Sequence, residues 1–301
     1  MRYNKLDLNL LVALDALLTE CNISRAGERV HLSQPAMSNA LSRLRNYFGD
    51  DLLVPVGRHM ERTPRAEVLR EAVRDVLVRI ETSVATQPEF DSRDTDRTFK
   101  LFVSDYSMEV LIPHVLAIAD AMGSRAKLHL RPQSSNPARD LERGEADLLL
   151  IPGEWCSAEH PSRVLFDDEL VCVVWSGSRH AQQGISIDSY ATAGHVAMQP
   201  IEINEPAFEQ WIQAGVGAPR DVRAAATSFA VLPFLVVGSE LIATMHARLA
   251  RLVEPALPIK RMAVPFPLPP IHQAMQWHKY RNLDPGLVWL RDLMIAAAQR
   301  M

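Results

Sequence analysis

Between residues 33 and 43 the chain groups Ser33, Gln34, Pro35, Ser38, Asn39, Ser42 and Arg43. Glutamine and asparagine amides can pair bidentately with an adenine edge, and serine and arginine reach bases or phosphates. That chemistry needs one rigid element that presents the side chains together. Ser33 is a good helix N-cap, and Pro35 is tolerated in a first turn, where its missing N–H costs nothing. Met37, Leu41, Leu44 and Phe48 then form one apolar stripe, with Gln34, Ser38, Asn39, Ser42 and Arg43 on the opposite side. The free N–H groups at the start of the helix also suit a phosphate.

The elements before and after this helix fit the same use. Asp7 can cap a helix whose apolar positions Leu10, Ala13, Leu14, Leu17 and Leu18 repeat every three or four residues. Asn22 interrupts it, and a short helix over Ser24 to Val30 follows. Two short helices and a tight turn before a small polar face describe a helix-turn-helix. Residues 52–62 read as a hairpin turning at Gly57, a wing that places Arg58 and Arg62 near phosphates. The alternative stays open on pattern alone, since a polar helix face is ordinarily just solvated. Helix-turn-helix shapes also occur in proteins that bind no DNA. Pro64 then opens a long helix over about 64–87. Its narrow stripe of Leu69, Val73, Val76, Ile80 and Val84 fits a partner helix or packing against its own domain. Spaced ion pairs are expected at Glu71/Arg74 and Asp75/Arg79.

The chain has 301 residues, enough for two or more domains, with ordinary apolar and charged fractions of 48% and 23%. Its net charge is −4, yet residues 1–65 carry 9 basic and 7 acidic side chains. That asymmetry is modest, so the placement of the arginines says more than their number. The three cysteines, Cys21, Cys156 and Cys172, form no C-x-x-C pair, which fits a reduced, cytoplasmic chain. The start reads as no signal peptide, because Asp15 breaks the apolar run. The uncharged stretch Ala224 to Ser239 is too short to span a bilayer and contains Pro233. Hydrolase, metalloprotease, Walker and dinucleotide-loop motifs are absent, and the histidines are scattered, so no catalysis is expected.

The runs Leu6 to Leu11 and Leu32 to Arg45 resemble the LysR-type transcriptional regulators. Arg143 to Pro152 and Leu165 to Val173 resemble the family's effector domain. Pro267 to Pro270, Gln276 to His278 and Asp284 to Arg291 are similar to one branch, the rhizobial nodulation regulators and activators of aromatic or chlorinated-aromatic degradation. The resemblance covers essentially the whole chain. It implies an α/β protein in three parts: a winged helix-turn-helix over 1–63, a linker and dimerisation helix over 64–90, and an effector-binding domain over 91–301. The last part would hold two Rossmann-like lobes, similar to periplasmic solute-binding proteins, lobe I over about 91–166 and 268–301 and lobe II over about 167–267. Three positions depart from the family pattern: Gly27 where Ala is usual, Val56 where many members carry Arg, and Arg65 where a small residue is common. Gly27 is expected to loosen its helix slightly.

Alternating strands and helices beyond residue 90 argue for mostly parallel sheets. Ligands in such sheets sit outside the carboxyl ends of strands. With the two lobes the resemblance implies, that rule points to Ser104, Asp105, Gln133, Ser134, Ser135 and Pro152 on one side, and to Met198, Gln199, Pro200, Thr227 and Phe229 on the other. Met108, Phe229 and Phe234 would supply an apolar wall. The expected protein is then a transcription activator controlled by a small phenolic, flavonoid or chlorinated aromatic effector, with no metal or other cofactor. Gln34, Pro35, Ser38 and Asn39 would touch bases, and Ser33, Arg43, Arg58 and Arg62 would hold phosphates. Its partners would be double-stranded promoter DNA, further copies in a homodimer or homotetramer, and RNA polymerase. Two other classes fit part of the pattern: a ligand-independent architectural DNA binder, and a solute-binding or enzymatic α/β protein with an accessory module.

Overall fold

A computed structural model describes residues 7–57, 59–84, 89–134, 136–199, 207–217 and 219–301. The chain divides into two compact units, one made almost wholly of residues 1–87 and one of the remainder.

The first unit runs α1 (Leu8–Glu20), α2 (Ile23–Arg29), α3 (Gln34–Phe48), β1 (Leu53–Val56), β2 (His59–Arg62) and α4 (Pro64–Val84). Asp7 caps α1 by accepting the Asn9 N–H at 2.9 Å. The helix ends at Cys21, which takes a left-handed conformation, rather than at Asn22. Asn22 instead caps α2 through the Arg25 N–H. The core gathers Leu14, Leu17 and Leu18 of α1, Met37, Leu41 and Leu44 of α3, and Ala66, Val73 and Leu77 of α4. The linker helix therefore packs one side on its own domain, while Val68 and Val76 stay exposed. Asp15, buried on α1, receives Arg74 of α4 at 2.9 Å, so Arg74 reaches across helices rather than only along its own. Gly27 has a reason that its helix propensity hides. A Cβ there would lie 2.6 Å from the Leu32 carbonyl, because the turn into α3 bonds back to the Gly27 carbonyl at 2.9 Å.

The second unit contains two mixed five-stranded sheets. Its elements are β3 (Thr98–Val103), α5 (Asp105–Val110), α6 (Ile112–Ala121), β4 (Lys127–Arg131), α7 (Pro137–Glu142), β5 (Leu148–Pro152), β6 (Ser162–Asp168), β7 (Leu170–Trp175), α8 (Arg179–Gln183), α9 (Ile187–Thr192), β8 (Gly194–Met198), α10 (Ala207–Val216), β9 (Asp221–Ala226), α11 (Leu232–Val236), β10 (Ile242–His246), α12 (Ala247–Val253), β11 (Ile259–Ala263), β12 (Ile271–Gln276) and α13 (Pro285–Ala298). One sheet has the order β4-β3-β5-β12-β6, the other β11-β7-β10-β8-β9. The chain passes from the first lobe to the second between β6 and β7, and returns between β11 and β12. The returning strand β12 runs antiparallel to both β5 and β6. Strand β7 is likewise antiparallel to β10 and β11. Four of the five strands in each sheet therefore run the same way, as expected, and the one reversed strand, β12 or β7, stands beside the lobe crossing. Asp105 is followed by two helices rather than one, because Pro113 opens the first turn of α6. Among the described residues no helix is long and apolar enough to cross a membrane.

Candidate functional site

The polar face of α3 forms as its spacing predicts. Met37, Leu41, Leu44 and Phe48 are buried, while Gln34, Pro35, Ser38, Asn39, Ser42 and Arg43 are exposed. Ser33 caps the helix, its hydroxyl accepting the Ala36 N–H. Gly49, left-handed, ends it. Arg45 braces the helix end against the wing through the Asp51 and Leu53 carbonyls, both at 2.7 Å. The wing is a two-residue hairpin with Val56 opposite His59 and Gly57 at φ +61°. Arg58 lies outside the described residues. Arg62 departs from the phosphate role expected of it. Its guanidinium donates to the Leu18 carbonyl at 2.7 Å, lies 3.0 Å from the Cys21 sulfur and pairs with Glu67, tethering β2 to the end of α1.

In the second unit a cavity of about 80 Å³ opens where the two sheets face each other. Strand ends reach it from both sides: Ser104 after β3 and Pro152 closing β5, with Met198 closing β8 and His246 closing β10. Tyr106, Phe229 and Trp211 add aromatic walls, and Gln133, Ile271 and Gln273 add to the first-lobe side. Trp155 and Glu154 stand at the exposed mouth. Ser104 is also the N-cap of α5, bonding the Ser107 N–H at 3.2 Å.

The buried aromatic layer is ordered by one carboxylate. Asp168 accepts the Tyr106 hydroxyl at 2.6 Å, and its other oxygen accepts the Glu169 N–H at 2.8 Å. The His246 ring stacks on Tyr106, centroids 3.8 Å apart and planes within 16°. Phe229 meets the same imidazole edge-on at 4.5 Å. Burial pushes the Asp168 carboxyl up, against the lowering effect of the Tyr106 bond. Burial likewise raises the Tyr106 phenol, helped by the Asp168 charge. The His246 imidazole is driven down to about 3 by burial, so it is neutral at physiological pH.

Of the residues expected to contact an effector, Ser104, Pro152 and Phe229 line this cavity, as do Gln133 and Met198. Others do not. Asp105 turns to the second lobe, where its carboxylate accepts the Ser228 hydroxyl and the Ala230 N–H. Met108 packs into the core. Ser134 bonds Asp140 and accepts the Asn136 N–H at the start of α7. Gln199 and Thr227 are exposed and off the lining. Phe234 is 56% exposed, so it forms no part of the apolar wall. Ser135 and Pro200 lie outside the described residues. Tyr106, Trp155, Trp211, His246 and Gln273 were missed. His246 is the last residue of β10, so it falls within reach of the strand-end rule.

A winged helix-turn-helix joined to a two-lobed α/β unit with a cavity between strand ends defines a DNA-binding transcription regulator with a ligand-binding domain. The comparisons with known proteins agree. Residues 8–67 match the bacterial regulatory helix-turn-helix protein of the lysR family, and residues 92–299 match the LysR substrate binding domain. The chain belongs to the LysR family of transcriptional regulators. It is 40% identical over 303 residues to Nodulation protein D 1 of Neorhizobium galegae, covering all of this chain and 97% of that one. It is 39% identical to Nodulation protein D 1 of Rhizobium meliloti (strain 1021), covering 100% and 98%. A full-length OxyR variant from Pseudomonas aeruginosa shares the fold, with a TM-score of 0.74 at 16% identity over 98% of this chain and 95% of that chain. So does ArgP from Mycobacterium tuberculosis, at 0.69 and 18%, over 98% of each. Members of this family are regulators, and the protein is a regulator, not an enzyme.

Proposed function

We propose that the protein is a transcription activator switched by a small aromatic effector held in the cavity between its two lobes. The observation that carries this reading is the lining: Tyr106, Trp155, Trp211 and Phe229 surround a space bordered by only a few polar groups. Flat aromatic walls with few polar groups suit an aromatic ring that carries one or two hydroxyl or halogen substituents. Phenolic, flavonoid and chlorinated aromatic compounds all meet that description. The likeness to nodulation proteins supports activation as the sign of control.

At the other end, Gln34, Pro35, Ser38 and Asn39 read base edges, while Ser33, Arg43 and Arg58 hold phosphates. The exposed Val68 and Val76 of α4 support pairing of two copies. Paired copies place their reading helices about one turn of DNA apart, roughly 34 Å, and effector-bound dimers or tetramers then present the promoter to RNA polymerase. The effector acts by favouring one state of the assembly, with a coupling of about 1–3 kcal/mol.

The test is a thermal melt of the full chain against flavonoids, phenols, hydroquinones, salicylates and chlorinated derivatives. An effector at a hundred times its Kd adds about 2.7 kcal/mol to the domain it binds. Met198→Trp, which fills the cavity, is expected to abolish the shift. A flat panel, or a shift that survives Met198→Trp, contradicts the assignment.

A further inference from the structure

Several buried histidines in the second unit carry a ring nitrogen with no hydrogen-bond partner, among them His160, His195 and His246. Of these only His246 borders the cavity. His195 already uses its other nitrogen on the Tyr190 carbonyl at 2.8 Å. The His246 ring is fixed in position by Tyr106 on its face and Phe229 on its edge. Its Nδ1 has no partner among the described residues, although the residue is only 6% exposed. That nitrogen is closed to solvent, so a ligand group in the cavity can pair with this ring only at its other nitrogen.

The charges around the cavity narrow what that group is. No lysine or arginine stands among its described lining residues, and the only ionisable carboxylate there is Glu154. A carboxylate entering this space would leave water without meeting a cation, and next to a neutral imidazole it could only accept. A hydroxyl both donates and accepts, so it satisfies the ring in either tautomer.

We propose that His246 is the specificity-determining residue of the cavity, pairing with the hydroxyl of an uncharged aromatic ligand and discriminating against aromatic carboxylates. The assignment rests on the reading of the cavity as an aromatic effector site. It divides the compounds admitted there by charge, favouring phenols over benzoates.

Three probes of similar size separate the possibilities: 4-chlorophenol, 4-chlorobenzoate and chlorobenzene, titrated into the full-length protein by calorimetry and followed by ligand-observed NMR. 4-Chlorophenol is expected to bind at least about tenfold more tightly than 4-chlorobenzoate. His246→Phe keeps an aromatic ring in the stack and is expected to weaken 4-chlorophenol about tenfold while leaving chlorobenzene unchanged. His246→Gln, which restores a donor and an acceptor, is expected to recover part of the loss, and His246→Leu serves in place of His246→Phe if that variant does not fold. Equal binding of phenol and benzoate, or a preference that His246→Phe leaves intact, overturns the role of His246 while the aromatic site stands. Failure of all three probes to bind the unaltered protein overturns both.

Discussion

Asp105, in the first turn of α5, accepts the Ser228 hydroxyl at 2.7 Å and the Ala230 N–H at 3.0 Å, so a carboxylate of the first lobe grips the turn that carries Phe229 into the cavity. The bond lies beside the cavity and joins the two lobes that form it. Asp105→Ala leaves that N–H and hydroxyl without their acceptor and is expected to destabilise the effector domain by about 1–3 kcal/mol. Ser228→Ala, which removes one bond, is expected to cost less. Urea unfolding of the effector domain checks both, and an unchanged midpoint in Asp105→Ala would remove the tie from the account.

Arg62 and Arg43 are predicted to fail in different ways. Arg62 holds the wing to α1 through the Leu18 carbonyl, so Arg62→Ala is expected to lower the stability of the DNA-binding domain by about 1–3 kcal/mol. Arg43 is exposed on the reading helix. Arg43→Ala is expected to leave the melt unchanged, weaken all DNA sequences alike and lower the salt slope by about one. Melting curves together with binding at several salt concentrations separate the two. A stable Arg62→Ala with a flattened slope would return it to phosphate binding.

Ser38→Ala combined with Asn39→Ala removes two exposed groups from the face of α3 without touching its buried stripe. The double variant is expected to lose about 1–3 kcal/mol of specific binding per base contact and little non-specific affinity. Competition between promoter and random DNA measures the difference. An equal loss on both would end the base-reading assignment.

The buried histidines set a pH dependence. Burial holds His246 near 3 and His195 near 4, against an ordinary value of 6.5. An unfolded chain takes up those protons first as pH falls, so stability is full above about 6.5 and is lost progressively down to the folded values. Each ring contributes up to about 1.4 kcal/mol per pH unit in that window. Asp168, raised by burial, acts in the opposite sense within the carboxylate range, so the histidine effect is cleanest between pH 6.5 and 5. His246→Phe is expected to reduce the slope of stability against pH there; an unchanged slope would show that the ring is not buried neutral.

The DNA-binding end was legible because its signals are local: a cap at Ser33, a proline in the first turn, and a stripe that recurs every three or four residues. The role of Arg62 was not, since its partner on α1 lies 44 residues away and leaves no periodic trace. In the effector domain the strand-end rule found Pro152 because β5 is a continuous apolar run, and Ser104 and Phe229 because each lies just past the end of a strand. It misplaced Thr227, which follows the edge strand β9 and faces away from the cavity. Trp155 and Trp211 sit on a turn and a helix, where no strand rule applies, and only the packing of the two sheets brings them to one space.

The most direct test of the account is the bend of promoter DNA, measured by energy transfer between end-labelled fluorophores, with and without a compound that the melt panel shows to bind. A switched regulator is expected to change the bend, and the length of its footprint, when the cavity fills, and Met198→Trp is expected to lose the response while still binding DNA. A bound compound that leaves bend and footprint unchanged would contradict effector control and identify the protein as a ligand-independent architectural DNA binder.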